Sequence, residues 1–399
     1  MRYGFASRGA DSMNKQGLFD VIVLGAGIAG SSLAYALARR GWSVLLLDRR
    51  TGPVHKACGE FLSPEARSSL RSLELEDTVD RLGAAPIHRV QLHSARPSML
   101  EFNLKAPSFG ISRRLLDEAL RQAAVEAGAA WMGGTAALSV ELEKDRYRVR
   151  VRLGHQEEAW LQARTVFGAW GRNGSAALKG NRISRKKQAF RGVGWKIHSN
   201  GMENRQAVEL YCFKGGYIGL SPIGGGLMNA AALVEQSVAR EAPRGPLGWL
   251  KLAAEGNPAF ASRFEGAEPI LETEQAAAPI RTSEQAVAWR EYPLLGDAAL
   301  VIPPLCGDGM AMALRSAERS VPLADAYLRG EIGLEQWKKA YRRLVSKEMA
   351  RPARWGRWLQ AGLIRPTAAG MLIQLGSASP RLAQAAFRAT RLAMPPVPT

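Results

Sequence analysis

The chain has 399 residues, 46% of them apolar, and a formal charge of +18 at pH 7. That length exceeds what one compact core usually serves, so two intertwined domains are expected. No apolar run approaches the ~20 residues that span a bilayer, and residues 1–16 lack the apolar middle of a secretion signal, so a cytoplasmic protein is expected. Cys58, Cys212 and Cys306 are too few and too widely spaced for a disulfide framework or a metal site, and the five histidines show no metal-ligand spacing. The basic residues are scattered rather than interleaved with aromatics, which argues against nucleic acid.

Residues 1–17 read as a disordered extension. Phe19 to Leu24 (F-D-V-I-V-L) is then a short β-branched strand, followed by the turn Gly25-Ala26-Gly27-Ile28-Ala29-Gly30 and an Ala/Leu-rich helix, Ser31 to Arg40. A second strand, Ser43 to Leu47, ends in Asp48 and Arg49. Strand, glycine turn, helix, strand and terminal acid form a dinucleotide-binding unit. In it Gly25 permits the tight turn, Gly27 admits a pyrophosphate and Gly30 lets helix and strand pack closely. The pyrophosphate is expected on the free amides at the helix start, and Asp48 on a ribose. Ile111 to Asp117 leads into a helix ending at Gly128; Val140–Leu142 and Tyr147–Leu153 read as a hairpin; a third strand, Thr165 to Trp170, closes on Gly171-Arg172-Asn173-Gly174-Ser175. From residue 181 to 285 short strands alternate with glycine turns, as in an antiparallel sheet. Leu294 to Ala299 returns to the nucleotide domain, a glycine-rich loop opens a helix near Gly309, and the rest is helical with breaks expected at Pro352, Pro366 and Pro380.

Four motifs in this order resemble the flavoprotein family of p-hydroxybenzoate hydroxylase and geranylgeranyl reductase. They are the opening G-x-G-x-x-G; Arg113-x-x-Leu116-Asp117-x-x-Leu120; Gly296-Asp297 in L-G-D-A-A; and Pro303-Pro304-Leu305-Cys306-Gly307-Asp308-Gly309-Met310, similar to the loop that lies along a flavin ring. Lys56-Ala57-Cys58-Gly59-Glu60 resembles a segment of the reductase branch. The resemblance implies FAD, held by Gly25, Gly27, Gly30, Asp48, Arg49, Arg113, Gly296, Asp297, Pro304, Gly307, Asp308, Gly309 and Met310. It implies an α/β fold: a Rossmann-like FAD-binding domain (18–82, 108–180, 286–330), an inserted antiparallel substrate domain (83–107, 181–285) and C-terminal helices (331–399). One departure stands out. Trp170 occupies the position of an acid that helps hold FAD and nicotinamide in the hydroxylases, so the electron donor is open between NAD(P)H, a donor protein and a reduced substrate.

Physical chemistry supports the flavin loop independently. Two prolines stiffen it, glycines admit a flat ring, and the following helix points its amides at the negative charge of a reduced flavin. The expected reaction is hydroxylation of a lipophilic or aromatic small molecule through a flavin C4a-hydroperoxide. The alternatives are alkene reduction of the geranylgeranyl reductase type, halogenation (against which the W-x-W-x-I-P segment is missing) and a non-catalytic flavin- or lipid-binding module. Cys58 and Glu60 are candidate proton donors, or else a packed thiol and a carboxylate paired with Lys56; Lys56 is also a candidate catalytic residue. Trp195, Tyr211 and Tyr217 are candidate pocket residues or core. From Lys338 onward arginines mix with apolar residues and no acid follows Glu348, which suits either a solvated helical cap or peripheral contact with an anionic membrane.

Overall fold

The computed structural model describes residues 18–154, 157–172, 178, 191–243, 245, 247–282 and 285–393. The predicted extension 1–17, most of the loop after Arg172 and the start of the expected substrate unit (181–190) lie outside them.

Strand Phe19–Leu24 is apolar on both faces and therefore takes a central place. It pairs in parallel with Val44–Asp48 on one side and Glu157–Gly168 on the other. Ala130–Gly133 extends the sheet beyond Val44–Asp48, and the antiparallel hairpin Thr135–Glu143/Arg146–Leu153 completes its six strands. Side chains alternate between two cores. Val21 and Val23 face the helices Ile28–Ala38, Arg113–Glu126 and Gly309–Leu328; Ile22 and Leu24 meet Leu45, Leu47, Tyr147 and Val149. Each such buried Leu, Ile or Val contributes about 1.5–3 kcal/mol.

The second sheet has eight strands, in the order Glu268–Arg281, Arg191–Asn200, Met228–Glu235, Gly216–Pro222, Ala207–Phe213, Ala85–His93, Met99–Gly110 and Phe61–Leu62. It is antiparallel except where Ala207–Phe213 runs parallel to Ala85–His93, the junction between two segments distant in sequence. Helices Gly248–Gly256 and Pro258–Phe264 cover one face through Trp195, Ile197, Tyr211 and Phe260. The other face looks toward the nucleotide domain and the C-terminal helices, through Cys212, Tyr217, Leu233 and Leu363.

Of the three helix breaks expected in the C-terminal region, Pro366 and Pro380 open new helices, Pro366–Ala378 and Pro380–Ala389. Pro352 breaks nothing: it sits inside the 30-residue helix Leu334–Leu363. Losing a helical hydrogen bond to proline costs about 3 kcal/mol. Burial of Trp337, Tyr341, Val345 and Met349 along the same helix outweighs it.

Candidate active site

Gly25 adopts φ +114°, and a Cβ there would stand 2.5 Å from the carbonyl oxygen of Ala169. At Gly30 a Cβ would stand 1.9 Å from the carbonyl oxygen of Gly25, so helix and strand close on each other only through glycine. Gly27 differs: its nearest neighbour would be Lys56 Nζ at 3.8 Å, which leaves open room at the helix start. The downstream segment meets this turn. Leu295 N donates to Gly168 O at 2.9 Å, and a Cβ at Gly296 would stand 3.4 Å from Ala29 Cβ. Gly307 is left-handed (φ +67°) against the ring of Phe61, whereas Gly309 has nothing within 4 Å of where its Cβ would be.

A cavity of ≈ 1250 Å³ joins these parts. Asp48, Arg49 and Arg50 line one end, then Gly25, Gly27 and Arg113, then Gly296, Asp297, Pro304, Gly307, Gly309 and Met310. The structure fits FAD: two glycines leave room for it, and helices Ile28–Ala38 and Gly309–Leu328 both begin at the cavity with no side chain capping their amides. Asp48 Oδ2 accepts from Ala26 N and Oδ1 from Arg50 N, both at 2.9 Å, so the carboxylate ties the first turn to the second strand while still facing the cavity. Asp297 lies 3.4 Å from Arg172 Nε. Asp308 is corrected: its carboxylate is buried away from the cavity lining, held by Arg391 Nη1 at 2.5 Å and Leu392 N at 3.2 Å. Arg391 thereby fastens the last helix to the flavin loop.

The segment 55–60 separates two ionic groups. In the first, Lys56 Nζ lies 2.5 Å from Asp117, which also accepts a fork of hydrogen bonds from Arg113. Burial works against the charge of Asp117, yet Arg113 and Lys56 hold its carboxyl below the ordinary range. Lys56 therefore belongs with Arg113 near the dinucleotide turn and does not pair with Glu60. Cys58 Sγ accepts from Glu60 N at 3.4 Å and lies 3.9 Å from Arg113 Nη1.

In the second group Glu60, Lys196 and His198 are buried and His55 is partly exposed at the cavity. Glu60, left-handed at φ 55° and inaccessible to solvent, accepts from Arg113 N at 2.8 Å and so receives the first amide of helix Arg113–Glu126. His198 Nε2 stands 2.6 Å from Glu60 Oε2 and 2.7 Å from Lys196 Nζ, which is itself 3.4 Å from Glu60 and 3.2 Å from His55 Nδ1. Burial alone would raise the Glu60 carboxyl, but His198, Lys196 and the Arg113 amide bring it below its ordinary value. Burial holds Lys196 below the usual lysine range despite Glu60. The expectation that no histidines group like metal ligands is corrected in space: His55, Glu60 and His198 converge within 4.8 Å. Lys196 Nζ sits among the three, within 3.4 Å of each.

Of the aromatic candidates, Tyr217 lines the cavity and its hydroxyl is buried with no hydrogen-bond partner among the described residues. Tyr211 is corrected to core: it stacks on His93, packs on Phe260 and donates to Glu209 at 2.6 Å, outside the cavity lining. Trp195 borders the cavity, but its ring stacks on Trp249 and its Nε1 donates to Glu274. Trp170 lines the cavity beside Arg172. His55, Lys196 and His198 were not singled out in the sequence. A lysine and a histidine two apart in the apolar strand G-V-G-W-K-I-H, and hence on one face, are the signal available there.

Residues 19–332 match the family model described as FAD binding domain. The chain is 27% identical over 327 residues to a menaquinone reductase of Mycobacterium tuberculosis, covering 77% of this chain and 76% of that one. It is 41% identical over 70 residues to squalene epoxidase 6 of Arabidopsis thaliana, covering 18% and 14%. A geranylgeranyl bacteriochlorophyll reductase-like structure from Thermoplasma acidophilum superimposes with a TM-score of 0.74 at 19% identity, over 94% of this chain and 95% of that one.

Proposed function

The chain belongs to the FAD-binding-domain family of FAD-dependent oxidoreductases, and from that premise we propose that it acts on a lipophilic small molecule by oxygen insertion. The observation that carries the substrate class is the continuity of the cavity. The space that passes the Pro304–Met310 loop is walled beyond it by Leu92, Leu210, Leu233, Ile280, Leu363 and Ile373. Bound FAD supplies the electrons and the activation of oxygen. The protein supplies a chamber whose apolar walls exclude water and hold a hydrocarbon substrate against the ring. The unpartnered Tyr217 hydroxyl offers one donor to an oxygen on an otherwise apolar substrate. Burial keeps that phenol protonated. Relatives named for squalene, a long hydrocarbon, and for menaquinone, a quinone with a long hydrocarbon tail, suit such a chamber.

A second reading, saturation of an alkene, is favoured by one feature. The Glu60–His198–Lys196 group holds exchangeable protons one residue from Phe61, whose ring meets Gly307 of the flavin loop. Reduction needs a proton as well as a hydride, and this group is placed to store one. Turnover of squalene and of menaquinone under isotopically heavy oxygen gas, in deuterium oxide, separates the two. Oxygen insertion leaves one heavy oxygen atom in the product. Saturation leaves deuterium on carbon and no heavy oxygen. Protein with full flavin content that transforms neither probe would contradict a long lipophilic substrate.

A further inference from the structure

The C-terminal helices leave an apolar surface uncovered at the edge of the cavity. Trp358 is 75% exposed, Met371 65%, Leu375 64% and Leu382 66%. Trp355 and Trp358 share one helix face, as do Met371 and Leu375 on the next helix. Leu372, Leu375 and Leu382 are at once exposed and part of the cavity lining, so the rim of the chamber is itself apolar and open. An exposed apolar patch of this kind marks a binding surface. Arg351, Arg354, Arg381 and Arg388 are exposed on these helices and Arg365 between two of them, and none of the five has an ion-pair partner among the described residues. No acid follows Glu348 to balance them. No helix among the described residues is long and apolar enough to cross a membrane.

We propose that this face docks on an anionic lipid bilayer, and that the cavity opens there into the lipid, so that substrate enters from the membrane without crossing water. The arginines match anionic head groups, tryptophans sit well at the interface, and the leucines and Met371 bury in the acyl boundary. A second copy of the chain is a poorer occupant, because a symmetric contact would set these unpaired arginines against their own counterparts. The entry route rests on the lipophilic substrate proposed above; the docking does not.

The test is co-sedimentation of full-length, FAD-loaded protein with vesicles of phosphatidylcholine alone or with about a third phosphatidylglycerol. The expected result is at least about tenfold stronger partitioning onto the anionic vesicles, weakened by high salt. Trp358→Glu with Met371→Glu lowers it at least about tenfold, at unchanged flavin absorbance and unchanged thermal midpoint. Arg354→Gln with Arg365→Gln, a surface change that spares the apolar contacts, reduces the preference for anionic lipid. Absence of vesicle binding, equal binding to both compositions, undiminished binding by the variants, or self-association through this face in its place would each overturn the proposal. Because the measurement needs no turnover, protein that binds vesicles yet transforms neither isotope probe would sink only the substrate reading.

Discussion

Glu60→Ala is expected to destabilise the protein by about 3–5 kcal/mol, because it leaves Lys196 buried without its counter-charge and His198 without its carboxylate partner. Burial already holds Lys196 below the usual lysine range, and without Glu60 it sheds its proton rather than remain a lone internal cation. Adding Lys196→Met to Glu60→Ala is therefore expected to restore a good part of the loss, as measured by denaturant unfolding of both variants. If the two changes are simply additive, the residues are not an energetic unit. The same group dictates the acid response. His55 is brought down to about 4 by burial and by its neighbours Lys196 and His198. As pH falls below its ordinary 6.5, the unfolded chain takes up a proton that the native state refuses until about 4, so stability declines across that window. The Glu60 carboxyl is lower in the native state than its ordinary 4.5, so its contribution is intact above that value and is lost only as pH falls further. Thermal stability should thus weaken in two stages on acidification; burial holds His93 below 6.5 as well and adds to the first, so His55→Asn should shrink that stage without abolishing it. A midpoint flat from neutral pH to about 4 in the wild type would contradict the arrangement.

Two alanine substitutions in one turn are expected to fail in different ways. Gly30→Ala drives a methyl to within 1.9 Å of the Gly25 carbonyl oxygen and 3.1 Å of Ala169 Cβ. The helix must shift off the sheet, which costs about 1–3 kcal/mol or more and takes FAD retention with it. Gly27→Ala meets nothing nearer than Lys56 Nζ at 3.8 Å, at an ordinary φ of −86°. Stability of the FAD-free protein should stay within about 0.5 kcal/mol of wild type, while the methyl occupies the space a pyrophosphate needs. An FAD dissociation constant raised at least about tenfold, or about 1.4 kcal/mol, is the expected reading by fluorescence titration. Wild-type FAD affinity in Gly27→Ala would mean that the dinucleotide crosses the turn elsewhere.

The nucleotide turn was legible because its constraint is local: glycine spacing, strand period and a terminal acid lie within a few dozen residues of one another. The flavin loop was legible because prolines and glycines announce an unusual backbone. The proton-bearing group was only half visible. Glu60 was singled out, but its partners lie 136 and 138 positions away, on a strand whose approach depends on how two sheets pack. Strand parity explains the mistaken tyrosine. Tyr211 pairs with Ile218, and Cys212 pairs with Tyr217, so the two tyrosines point to opposite faces of the sheet. Aromatic character alone does not say which face is the chamber. Asp308 misled for a related reason. It lies inside the glycine-rich loop, yet Arg391, 83 positions on, turns its carboxylate away from the cavity. Pro352 shows the opposite failure, a strong local signal overruled by the packing of a long amphipathic helix.

X-ray diffraction from crystals of the FAD-loaded protein would locate the dinucleotide in the cavity. The expected density places the adenosine end beside Asp48–Arg50, the pyrophosphate over Gly27, and the ring along Pro304–Met310 with its far side open to the chamber that holds Tyr217 and Leu210. Ring density turned out of the cavity, or separated from that chamber by protein, would contradict it.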